Sequence, residues 1–86
     1  MPEICRFYGI VIRMFYDDHN PPHFHAEYGD DEAWINVNTL AVFHGRLSAR
    51  TLGLVIEWAS MHQDELRHDW ELARKQQKPK KIQPLK

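Results

Sequence analysis

The sequence predicts one α+β domain, a small antiparallel sheet of about four strands covered by one long helix near the C-terminus. Three observations predict it. Between residues 9 and 47, short runs of alternating apolar and polar residues are separated by Gly, Asn, Asp and Pro, the pattern of half-buried strands joined by turns. From Ser48 onward the apolar spacing becomes that of a helix, with Leu52, Val55, Ile56, Ala59, Leu66, Trp70 and Ala73 on one stripe. The chain of 86 residues is long enough for one core and too short for two domains. Residues 1–77 are assigned to the domain and 78–86 to a basic tail interrupted by Pro79 and Pro84.

In order, residues 3–7 read as a lead-in. Residues 9–16, rich in β-branched and aromatic side chains, form the first predicted strand, apolar on both faces except for Arg13. After the corner at Asn20-Pro21-Pro22, His23, His25 and Glu27 alternate with Phe24, Ala26 and Tyr28 in the second strand. Gly29-Asp30-Asp31 turns the chain into a third strand that places Trp34 and Asn36 on the histidine face. Asn38-Thr39 turns it again into a fourth, with Gly45 marking a bulge. Ser48 is the expected N-cap, with Leu47 and Leu52 at hydrophobic-staple spacing, and the helix is expected to run to about Gln76. Leu54, Trp58 and Met61 fall outside the stripe. They form a second apolar patch suited to a partner protein or a second copy of the chain, unless the lead-in or tail covers it.

Composition narrows the function classes. With 43% hydrophobic residues and a formal charge of −1, the chain is neither disordered nor basic enough overall to announce a nucleic-acid binder. The charge is uneven, however: residues 1–32 hold seven acids against Arg6 and Arg13, whereas residues 74–86 hold six bases and no acid. A single Cys5 allows no internal disulfide and fits a reducing cytoplasm. No apolar run approaches the ~18 residues of a membrane span, and Met1-Pro2-Glu3 lacks the pattern of a secretory signal.

Residues 17–27 carry the chemistry, because three of the six histidines, His19, His23 and His25, fall there on either side of the double proline. Imidazoles work as acid and base near neutral pH. Two or three on one face therefore suit metal-independent RNA cleavage, one taking the 2′-hydroxyl proton and another protonating the leaving oxygen. In that scheme His23 and His25 are the principal pair and His19 and Glu27 orient or substitute. Arg13 or Arg46 stabilises the phosphorane-like charge, and Trp34 stacks an unpaired base. No cofactor is then needed. The alternative is a divalent transition metal such as zinc on His23 and His25, with Glu27 available to join them and His19 or His62 more remote. A third reading makes the histidines structural: His19 bonds backbone groups beside the prolines, His25 pairs with Glu27 or a facing strand residue, and Arg13 pairs with an acid such as Asp17 or Glu27. His62 then sits at the edge of the core.

The start Met1-Pro2-Glu3-Ile4 and the block His19-Asn20-Pro21-Pro22-His23-Phe24-His25 are matched by later signatures: Glu57-Trp58 with His62, Glu65-Leu66, Trp70-Glu71-Leu72-Ala73 and Ile82-Gln83-Pro84-Leu85. Together they resemble domain-of-unknown-function family 4160 over nearly the whole chain. The resemblance implies a short prokaryotic protein from a two-gene cassette, some members being named as the toxin of a toxin–antitoxin pair. By that resemblance the expected partner is a small antitoxin-like protein, with RNA as the substrate of the enzymatic reading.

Overall fold

Tyr8 and Gly9 both have positive φ, 51° and 81°, the backbone of a two-residue hairpin turn that matches strand twist. That turn makes a strand of the expected lead-in. In the computed structural model, which describes residues 2–86, β1 (Glu3–Phe7) pairs with β2 (Ile10–Arg13). β3 (His23–Tyr28), β4 (Asp31–Asn36) and β5 (Val42–Gly45) follow, and each strand pairs antiparallel with the next in the order β1-β2-β3-β4-β5. The sheet thus has five strands where about four were expected. Met1, the first residue of the family-like start, lies outside the described residues.

The expected long helix is two, α1 (Ala49–Ser60) and α2 (Gln63–Arg74). Ser48 caps α1 as expected, its side chain accepting from the Thr51 N–H at 3.3 Å. The break falls at Met61 and His62, whose N–H groups donate three residues back to Trp58 and Ala59 carbonyls and tighten the end of α1. Asp64 and Glu65 then lie in the first turn of α2, where carboxylates suit the helix dipole. Gln63 reaches from that turn to the Val37 carbonyl at 2.9 Å, tying the start of α2 to the sheet. At the other end Gln76 has φ of 63° and the Gln77 N–H donates to the Leu72 carbonyl at 2.8 Å, closing the helix.

The core lies between one sheet face and the helices. Ile12, Phe24, Ala26, Ala33 and Ile35 meet Val55, Trp58, Ala59, Leu66, Trp70 and Ala73, all buried. Trp58 is fully buried against Phe7 and Phe24, at ring separations of 5.4 and 5.9 Å. The tail belongs to the same body: the Ile82 N–H donates to the Ile4 carbonyl at 2.8 Å, and the Lys80 N–H donates to the buried Asp69 carboxylate at 2.9 Å. The Trp58 indole N–H in turn donates to the Gln83 carbonyl at 2.8 Å.

Gly45 sits beside an irregularity, as expected, but the extra residue in β5 is Phe43; Gly45 answers a different need. Its φ is 72°, and a Cβ there would stand 2.1 Å from the Glu32 carbonyl oxygen. Gly45→Ala is therefore expected to destabilise the protein by about 2 kcal/mol or more. A urea midpoint equal to that of the parent would contradict this.

Candidate functional site

Strand alternation turns Phe24 and Ala26 into the core and His23 and His25 to the opposite face. The cross-strand register sets Arg13, His25, Trp34 and His44 in one row, with His23 opposite Asn36. Trp34 does lie beside the imidazoles, stacked on His23 at 5.5 Å between ring centres and 20° between planes. Phe15 meets the ring of His25 at 4.4 Å, while Phe43 and Trp70 meet that of His23 at 5.2 and 5.3 Å. This aromatic surround leaves His23 2% and His25 5% exposed.

The polar partners are specific. The His23 Nδ1 lies 2.7 Å from the Pro21 carbonyl oxygen, and the His25 Nδ1 lies 3.0 Å from Glu32 Oε2. The Pro21 carbonyl is an acceptor only, so the His23 ring donates through Nδ1–H; the His25 ring lies between two carboxylates and has an acceptor at each nitrogen. The two Nε2 atoms converge, each 3.0 Å from Asp18 Oδ2. His25 meets that oxygen in hydrogen-bonding geometry, whereas His23 Nε2 approaches from a direction that makes no hydrogen bond. Asp18 is held in place through its other oxygen, which accepts the His19 N–H at 2.9 Å. Burial pushes the Asp18 carboxyl up, but the hydrogen bonds from the His25 ring and the His19 N–H lead the opposing influences and hold the group below its ordinary range.

Residues 17–27 thus contain the centre, with a different membership from the expected one. His23 and His25 come together. His19 contributes its backbone N–H to Asp18, and its exposed side chain takes no part in the cluster. Glu27 is engaged by Arg13, whose Nε lies 3.2 Å from both its carboxylate oxygens, so the carboxylate beside His25 is Glu32. The structural pairing foreseen for Arg13 with Glu27 is present. Arg46 is exposed, and its backbone N–H donates to Glu32. Asp18 was missed because the strand pattern begins only after the prolines. Its signal was proximity in sequence to the corner, where Asn20–Pro21 is a cis peptide.

The second apolar patch is not formed as expected. Trp58 belongs to the core and is covered by the tail; Leu54 lines a surface cavity of about 570 Å³ with Tyr8, Tyr28, Arg50 and Leu85, and Met61 alone is exposed. His62 lies against Trp58 at 5.6 Å and its Nδ1 is 2.6 Å from Glu65, an edge-of-core position remote from the other histidines. Among the described residues, one group of histidine, cysteine or carboxylate side chains could hold a metal ion, Asp18, His23 and His25, with ligand atoms within 4.8 Å of one another. No helix among the described residues is long and apolar enough to cross a membrane.

Fold and site together define an α+β domain with a buried histidine–carboxylate centre on the strand face opposite Phe24 and Ala26, where Trp70 of the core also borders His23. The chain belongs to the family described as domain of unknown function (DUF4160), whose model matches residues 9–71. No curated protein and no solved structure was found to match it.

Proposed function

We propose that this chain is the protein-binding member of a prokaryotic two-gene toxin–antitoxin-like cassette, and that its small partner docks on the histidine face. What supports docking over metal-independent RNA cleavage is the engagement of both imidazoles. Acid–base cleavage needs two rings with a nitrogen open to the substrate on either side of the phosphorus. Here each Nδ1 is bonded within the protein and both Nε2 atoms face one carboxylate oxygen. The surrounding face suits a protein: Phe43, 44% exposed, borders the rings of His23 and Trp34, and the carboxylates on the face, Asp18, Glu32 and the Arg13-paired Glu27, are a poor match to a phosphate backbone.

The test is co-expression with the product of the adjacent gene. Phe43→Glu is expected to leave the domain folded and abolish co-purification. Co-purification unaffected by Phe43→Glu would overturn the assignment of the face. Growth arrest on expression, relieved by Asp18→Asn in a folded protein that still binds its partner, would favour the enzymatic reading instead.

A further inference from the structure

We infer that Asp18, His23 and His25 form a binding site for a divalent first-row transition metal ion, with zinc as the best match, through Asp18 Oδ2 and the Nε2 atoms of both histidines. The inference rests on the geometry of the centre and is independent of any partner on the face. A neutral imidazole carries one N–H. In His23 that hydrogen is committed to the Pro21 carbonyl, so Nε2 presents a lone pair, buried and without a hydrogen-bond partner, 3.0 Å from a carboxylate oxygen. His25 stands between two carboxylates, Nδ1 facing Glu32 and Nε2 facing the same Asp18 oxygen, each at 3.0 Å, so a cation at Nε2 would take the place of a hydrogen there while Nδ1–H still donates to Glu32. Two ring nitrogens and a carboxylate oxygen thus converge on one small, almost wholly buried volume, and one of them, His23 Nε2, has no hydrogen-bond partner. One cation would engage all three at once.

The spacing agrees. Two ligand atoms about 2.1 Å from one ion and ~90–110° apart lie roughly 3.0–3.4 Å from each other. The two Asp18 contacts, 3.0 Å each, fall at the short end of that range. The outer partners agree as well, because metal-ligating histidines commonly donate the other ring N–H to a carboxylate or backbone carbonyl, which fixes tautomer and ring direction. Glu32 and the Pro21 carbonyl stand in those positions. Three protein ligands of N2O type leave at least one coordination position for water or another donor, the composition of zinc sites that do not serve structure alone. Asp18, whose side chain is 18% exposed, is the ligand on the solvent side.

The experiment uses the full-length protein, stripped with chelator and titrated with zinc by calorimetry and with cobalt by visible absorption. One ion per chain is expected. Zinc at a hundredfold excess over its dissociation constant should raise Tm by on the order of 10 °C. Asp18→Asn should weaken binding by tenfold or more, and Glu32→Gln by about tenfold through loss of ring orientation. His68→Ala, on the exposed side of α2, should change nothing. If Asp18→Asn does not fold, Glu32→Gln against His68→Ala carries the comparison. No zinc binding by the folded, stripped protein would overturn the site. So would binding that Asp18→Asn and Glu32→Gln leave unchanged, or that His68→Ala weakens equally.

Discussion

Trp58→Ala is expected to cost about 4 kcal/mol, the largest single loss in the chain. The side chain is fully buried, packs on Phe7 and Phe24, and donates its indole N–H to the Gln83 carbonyl. Truncation therefore leaves a cavity under the sheet and releases the tail at the same time. For a chain of this length the total stability is on the order of 10 kcal/mol, so the variant should survive only in low denaturant. Trp58→Phe separates the two effects: it retains most of the packing and loses the hydrogen bond, so the Ile82 amide should exchange faster while the urea midpoint moves less. A Trp58→Ala protein with parental stability and impaired partner binding would return the residue to the docking role that the helical wheel suggested.

His25→Ala comes second, with an expected loss of about 3 kcal/mol. The ring stands between Asp18 and Glu32, and without it two carboxylates face each other across a cavity beside Phe15. The pH dependence has a definite sign. Interactions in the folded state hold the Asp18 carboxyl below its ordinary value of 3.8. Its contribution to stability is therefore present above that value and is lost as pH falls through the lower, folded-state value. Acid unfolding of the parent should steepen below about pH 4. In Asp18→Asn that component should be absent, and in His25→Ala it should shrink, because the ring supplies the hydrogen bond that does most to lower the Asp18 pKa. Acid unfolding curves of equal slope for all three proteins would count against this assignment.

The sheet was legible wherever strict alternation met an obvious turn. His23–Tyr28 and Asp31–Asn36 follow the predicted faces, and Trp34 lands beside the imidazoles as the alternation requires. β1 was not legible because its turn, Tyr8-Gly9, carries a bulky residue at positive φ where Asn or Asp is the usual signal. The helix break was hidden for a different reason. Val55, Ala59, Leu66, Trp70 and Ala73 keep one helical phase across Met61 and His62, so periodicity alone continues through the bend. The centre was half legible: two histidines two apart on a strand must share a face. Which carboxylate joins them depends on the path of the loop before the prolines and on strand register, and these bring in Asp18 and Glu32 and leave Glu27 to Arg13.

The account depends on His23 donating through Nδ1 and turning an unprotonated Nε2 toward Asp18. Long-range proton–nitrogen correlation spectra of labelled protein read that arrangement directly, ring by ring. They should place a fixed hydrogen on Nδ1 of His23 and none on its Nε2. A His23 ring protonated at Nε2 alone, or averaged signals from two mobile imidazoles, would contradict it.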